Sequence, residues 1–198
     1  MSASISSPAP PSPRGYRFNR DEFHQMWDFG WFADRYVELI EGEIVEMPHP
    51  GTAHCVSTDR STEALRAVFG KGYWVRMQMP LNLSPFSEPL PDVAVVEGDR
   101  DSNLPTPTMA ILGVEVSDTT LAYDRGKKAS LYARAGLADY WIVNLLDKQL
   151  EIRRRPIPDD TREFGFAYAD VTILKPGDFA TPLAAPQARI AVADLLPK

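Results

Sequence analysis

Glu115 lies in the middle of Ile111-Leu112-Gly113-Val114-Glu115-Val116-Ser117-Asp118, a run whose apolar, β-branched character reads as a strand covered on both faces. An ionised carboxylate removed from water is costly unless a cation or a set of donors compensates it. Two other residues complete a reactive set. Asp92 opens the apolar run Pro91-Asp92-Val93-Ala94-Val95-Val96, and Lys128 lies in a helical stretch that follows the Glu115 strand. Two carboxylates and an ammonium are the groups that metal-assisted hydrolysis of a phosphodiester employs. Each also has a plainer reading. Asp92 after Pro91 is a common way to enter a strand, and Lys128 can lay its stem along a sheet edge with its ammonium in water. Glu115 can form a buried salt bridge with Lys128 or Arg125 instead of holding a metal. In either reading of Glu115, a cation meets it.

The elements that must position these groups follow from periodicity. Arg20 to Phe32 carries Phe23, Met26, Trp27 and Trp31 at near-helical spacing, with Asn19 as N-cap and Gly30 near its end. Tyr36 to Met47 holds two alternating runs around Glu41-Gly42, a hairpin signal. A helix with a weak apolar stripe is expected from about His54 to Phe69, ended by Gly70. Strands are expected over Tyr73 to Leu83, over Pro91 to Val96 and around Glu115. Leu121 to Ala135 reads as a helix closed by Gly136, followed by strands Asp139 to Asn144 and Gln149 to Arg153 around the turn Leu145 to Lys148. Along that helix Asp124, Lys128, Leu131, Tyr132 and Ala135 share one stripe, so Lys128 points inward. Lys127 lies on a more polar face and is expected to be solvated. Beyond Pro156 the chain reads as Pro-rich and short-stranded, with a last apolar patch, Ile190 to Leu196, packing back on the same core.

Composition bounds what remains. The 198 residues, 44% hydrophobic and 24% charged, suffice for one sizeable core. Residues 1–15, rich in Ser, Pro and Ala, read as a disordered tail, and residues 16–198 as a single domain. No apolar run is long enough for a membrane helix and the N-terminus lacks the order of a secretory signal, so a soluble, cytoplasmic protein with no membrane partner is expected. One cysteine, Cys55, excludes an internal disulfide, and three histidines offer little to a Cys/His zinc site. Any metal should therefore have oxygen ligands. A net charge of −6 gives no sign of the broad basic surface of tight nucleic-acid binders, although a metal can offset acids locally.

Five separated segments, in order, carry a family resemblance: Val37 to Met47, Glu88 to Val96, Val114 to Ser117, Tyr123 to Gly136, and Asp139 to Val143. From about Tyr36 onward the chain resembles the Uma family of restriction-endonuclease-like proteins, within the PD-(D/E)XK nuclease superfamily. The resemblance implies an α/β fold, α+β in its mixed sheet: a restriction-endonuclease-like core in which a central mixed β-sheet is flanked by helices. It implies a metal-dependent endonuclease hydrolysing phosphodiester bonds, with nucleic acid, DNA foremost, as partner, and a homodimer as an assembly common in the superfamily. Asp92 matches the first acid and Glu115 the second. The lysine expected two residues after the second acid is replaced by Ser117, and Lys128 matches the position to which this family has moved it. Glu38 resembles a further acid of the N-terminal motif, though an alternating hairpin offers it an exposed berth. His54 also falls at a familiar place, where a cap or surface role is the ordinary one.

The mechanism implied by the resemblance has Mg²⁺ or Mn²⁺ held by Asp92, Glu115 and the backbone carbonyl of Val116. Such an ion polarises the phosphoryl group and lowers the pKa of a bound water, while Lys128 orients that water or neutralises charge on the phosphate. Arg76, Arg125 and Lys127 are candidate substrate contacts by proximity to the motifs. Arg153-Arg154-Arg155 is a further candidate for phosphate contact, with charged decoration of an edge strand as its plainer reading. The alternative from another class is a catalytically weak or inactive nuclease fold serving as a nucleic-acid or protein interaction module. Metal dependence separates the two.

Overall fold

The computed structural model describes residues 14–102 and 105–198, so the expected tail lies outside the described residues except for Arg14 and Gly15. Helix α1, Arg20–Asp28, starts at a capping box: the Asn19 side chain accepts from the Glu22 N–H while Glu22 accepts from the Asn19 N–H. It stops short of the expected Phe32, where Gly30 takes φ +77°. Its buried Phe23 and Met26 pack with Phe32, Val37 and Leu39, which fastens the helix to the hairpin that follows.

That hairpin pairs β1, Val37–Ile40, with β2, Glu43–Glu46. Glu41 at φ 52° and Gly42 at φ 84° make a two-residue turn with both central φ angles positive, whose twist matches that of the flanking strands. The turn is also clamped from outside. Gly42 donates to the Phe86 carbonyl at 2.7 Å, and Glu88 donates to the Leu39 carbonyl at 2.7 Å. With β2 on one side and the 84–90 segment on the other, all four residues of β1 are buried, Glu38 included. The exposed berth expected for Glu38 is thus corrected: alternation along a strand exposes every second residue only when one face is bare.

Helix α2, Thr52–Val68, turns Ser57, Thr58, Ser61, Thr62 and Leu65 inward. Its apolar stripe is weak because this face is made of small hydroxyl side chains, which let the helix lie close to the sheet. The Ser57 hydroxyl donates to the Leu195 carbonyl at 2.6 Å and the Thr62 hydroxyl to the Thr58 carbonyl at 2.8 Å, so those polar groups are satisfied.

The central sheet has six strands in the order β3 (Tyr73–Met77), β4 (Val93–Glu97), β5 (Leu112–Ser117), β6 (Asp139–Asn144), β7 (Gln149–Pro158) and β8 (Phe166–Leu174). It is mixed. Only β5 and β6 run parallel, and a parallel neighbour requires a crossover. The crossover is one helical run: α3 (Leu121–Tyr123), a π-helical turn (Asp124–Lys128) and α4 (Ala129–Arg134). Gly136 at φ 84° ends it. Two apolar layers result. Val93, Val95, Val114 and Val116 face α2 and the C-terminal helix α5 (Val192–Leu195), while Ala94, Val96, Tyr140 and Ile142 face the crossover. Among the described residues no helix is long and apolar enough to cross a membrane.

Two expectations are corrected in this region. Strand β3 ends at Met77 instead of Leu83, because Gln78 takes φ 49° and the chain leaves the sheet. Beyond Pro156 the chain is short-stranded only in part: β7 runs on to Pro158 and β8 adds nine residues, while the two-residue strands Phe179–Ala180 and Ile190–Ala191 follow. Consequently β7 is interior, and the arginine run is paired instead of decorating an edge. Arg153 meets Glu151, Arg154 meets Asp139, and Arg155 meets Asp170. The expected return of Ile190 to Leu196 to the core is observed, with Ile190, Val192, Leu195 and Leu196 buried.

Gly42 offers a direct check on the hairpin that carries Glu38. A Cβ there would sit 2.6 Å from Arg17 Cβ and 3.0 Å from Arg17 Cα, at a φ that side chains disfavour. Gly42→Ala should lower stability by at least about 1–2 kcal/mol, the cost of a left-handed non-glycine residue. Urea unfolding measures this, and an unchanged midpoint would refute the turn geometry.

Candidate functional site

Strand pairing does most of the positioning. The β4–β5 register sets Val93 opposite Val114, and carrying it one step further sets Asp92 opposite Glu115. Residues two apart share a strand face, so Glu115 projects on the crossover side with Ser117, while Asp92, one residue before β4, meets α2 and the backbone of β5. There the Val116 N–H donates to Asp92 Oδ2 at 2.8 Å, which holds the Asp92 carboxylate against the end of β5.

The crossover supplies the cation. In the π-helical turn the Ala129 N–H reaches back five residues to the Asp124 carbonyl, and the Tyr140 hydroxyl donates to that same carbonyl at 3.1 Å. Asp124 and Lys128 both end up buried, as the helical stripe anticipates. Lys128 Nζ lies 2.9 Å from Glu115 Oε1 and 2.9 Å from Glu38 Oε1, with the lysine only 2% exposed. Glu115 also accepts from the Tyr132 hydroxyl, at 2.7 Å, on the same oxygen, Oε1. The Oε2 atom of Glu38 is buried without a partner among the described residues.

These groups line a cavity of about 300 Å³ whose exposed lining residues, Pro48 to Gly51 and Thr119, mark its mouth. Four of the sequence-derived residues therefore converge there: Glu38, Asp92, Glu115 and Lys128, with Val116 beside them. The substrate-contact candidates do not converge. Arg125 pairs with Glu151, Lys127 bridges Glu43 and Glu163 instead of being solvated, and Arg76 is buried beside Trp74.

Sequence reasoning passed over three more residues. His54 is neither a cap nor a surface residue: its Nε2 lies 2.8 Å from Asp92 Oδ1 inside the cavity. The signal was the stripe His54, Thr58, Ser61, Leu65 at helical spacing, hidden because it is polar. Asp124, also in the cavity wall, accepts from the Ser117 and Thr120 hydroxyls at 2.6 and 2.7 Å. Ser117, standing where a lysine was expected, thus orients a carboxylate. Tyr132 lies one helical turn beyond Lys128 on the same stripe and was read there as core alone.

The electrostatics are those of a carboxylate-rich pocket. Burial raises the Glu115 carboxyl well above its ordinary pKa; Lys128 opposes that shift, and Asp92, Asp124 and Glu38 add to it. Burial likewise raises Glu38 and Asp124, in each case against the pull of Lys128. For Lys128, burial favours the neutral amine, but Glu115, Glu38 and Asp124 outweigh it and keep the ammonium protonated well past its usual range. Burial would also lower His54, yet its hydrogen bond and charge contact with Asp92 raise it. Among the described residues no three His, Cys, Asp or Glu side chains form a ready-made metal cage. The acids instead offer oxygens from two or more edges of one cavity.

Comparisons with known proteins bear on what such a pocket belongs to. The family model described as "Uma2: Putative restriction endonuclease" matches residues 20–193. No curated protein matches the sequence. Among solved structures the chain is similar to "a putative nuclease belonging to DUF820" from Anabaena variabilis, with a TM-score of 0.66 and 14% identity, covering 90% of this chain and 97% of the other. At that identity the likeness carries the fold alone.

Removing the cation isolates its contribution. Lys128→Met should destabilise the protein at pH 8 by about 3–5 kcal/mol, the usual result of leaving buried charge unpaired. Because Glu38 and Glu115 have raised pKa values when folded, the folded variant takes up protons before the unfolded chain does as pH falls, so stability should partly return near pH 5.5. Urea titrations at both values test this, and a loss independent of pH would contradict the shared ion pair.

Proposed function

Since the chain belongs to the Uma2 family, we infer that it is an endonuclease which hydrolyses phosphodiester bonds of DNA with the help of Mg²⁺ or Mn²⁺. The observation that carries this reading is the convergence of Asp92 and Glu115 on one cavity, lined by five carboxyl groups and one lysine. The donor set fits the ion. It consists of oxygens, it is rich in negative charge, and both hydrogen bonds to Glu115 end on Oε1, so Oε2 accepts none among the described residues. Mg²⁺ characteristically takes one or two carboxylates and fills its other positions with water and phosphate, so a complete protein cage is not required. Asp92 and Glu115 would be its ligands. The Val116 carbonyl is a third candidate, because the N–H of the same residue already points at Asp92 and both groups of a strand residue leave on one side. When bound, the ion supplies Lewis acidity toward a phosphoryl oxygen and a lowered pKa for its water.

The chain's own residues divide the remaining work. Lys128, locked as an ammonium, cannot accept a proton; it limits the repulsion between Glu38 and Glu115 and presents positive charge to an incoming phosphate. Glu38 shares that ammonium with Glu115. His54 fixes one oxygen of Asp92 while the Val116 amide fixes the other.

The second reading, an interaction module with little catalysis, is favoured by the state of the basic residues nearest the motifs. Arg125 and Lys127 are engaged in ion pairs, leaving them no free charge for a phosphate backbone. Calorimetry and plasmid cleavage separate the two readings. The wild-type protein should bind Mn²⁺ and nick DNA only in its presence, and Asp92→Ala should lose both properties, with cleavage down at least about 100-fold, within the range of losses seen when a group stabilising the reaction is removed. Undiminished Mn²⁺ affinity in Asp92→Ala sinks the site; Mn²⁺ binding without cleavage of any DNA supports the second reading.

A further inference from the structure

Glu115 receives two buried donors, and both converge on a single oxygen: Lys128 Nζ at 2.9 Å and the Tyr132 hydroxyl at 2.7 Å, each to Oε1. A carboxylate bonded in this way cannot rotate about its terminal torsion without breaking both contacts at once. The two donors differ in what holds them. Lys128 is shared with Glu38 and sits on a flexible stem, whereas Tyr132 is fully buried, its ring tilted against Tyr140 at a centroid distance of 5.0 Å. A tyrosine ring has few torsions, and this one is wedged in the layer between crossover and sheet. Its hydroxyl is the rigid donor of the pair.

We propose that Tyr132 is a positioning residue for the cation site, using its hydroxyl to pin Oε1 of Glu115 so that Oε2 is presented to the ion. This deepens the reading above and rests on it, because Tyr132 reaches the ion through Glu115 alone. The hydroxyl has a further consequence. By sharing Oε1 with Lys128 it takes part of the carboxylate charge, so the lysine is not drawn wholly onto Glu115 and stays within reach of Glu38. Outer groups that orient a ligand in this manner typically change metal affinity by 10–100-fold when removed, according to the general behaviour of such shells.

The test is Mn²⁺ titration calorimetry on the full chain, with thermal unfolding of each variant. Tyr132→Phe keeps the ring and its packing and removes the donor; it should weaken Mn²⁺ binding by at least about tenfold. Tyr168→Phe is the comparison, since it loses a buried hydroxyl that meets only the Leu137 carbonyl, away from the cavity; its affinity should stay within about twofold of wild type, the scatter of a change with no path to the ion. In a Glu115→Gln background the Tyr132→Phe effect on Mn²⁺ affinity should vanish, and this double variant, with no charge left short of a donor, remains informative if the single one folds poorly. Wild-type affinity in Tyr132→Phe, equal losses in both tyrosine variants, or a loss that persists in the Glu115→Gln background would each overturn the inference. If Asp92→Ala binds Mn²⁺ as well as wild type, the metal site itself has failed, a separate outcome from Tyr132 having no part in it.

Discussion

The ammonium of Lys128, held between Glu38 and Glu115, joins three separate parts of the chain. Glu38 comes from the N-terminal hairpin, Glu115 from the middle of the sheet, and Lys128 from the crossover helix. Each group alone would be costly to bury, and each is tolerable only because the other two are present. That mutual requirement constrains the rest of the fold. The hairpin must be clamped at its turn to bring Glu38 in, β5 and β6 must be parallel so that a helix returns over Glu115, and that helix must contain a widened turn that seats Asp124 and Lys128 together.

The balance of charge in the cavity is unequal by design of the strands. Asp92, Glu38, Glu115, Asp118 and Asp124 share the cavity with one lysine, and His54 is a further partner for Asp92. Burial pushes three of these carboxyl groups toward their neutral forms, and a fold optimised only for stability would replace such acids with apolar residues of similar volume. An excess of buried acid is a recurrent mark of functional sites, and it accords with the divalent ion inferred here. The family match and the structural likeness at 14% identity fit the same view: the fold is shared while most side chains differ.

Much of this was legible because the signals were local. Alternation and β-branching located β4, β5 and β6; Gly136 closed the crossover; Glu41-Gly42 marked the turn of the N-terminal hairpin; and an acid inside an apolar strand demanded a cation wherever it lay. The stripe through Asp124, Lys128 and Tyr132 placed the lysine inward from spacing alone, and the family resemblance chose which acids it would meet. β8 was not legible, because its pairing with β7 is a property of two strands together, and neither its composition nor its length stands out.

Sequence by itself determined which residues had to be compensated and on which face of its own element each one lay, since strand and helix periodicities follow from backbone geometry. Tertiary structure alone decided the partners. That Glu38 is buried follows from a segment about fifty residues away covering its strand, that His54 meets Asp92 follows from a helix of small hydroxyls lying close to the sheet, and that Arg125 pairs with Glu151 instead of Glu115 follows from where β7 runs. Those outcomes depend on distances between elements, which are set by the packing of whole layers and are written in no single stretch of the chain.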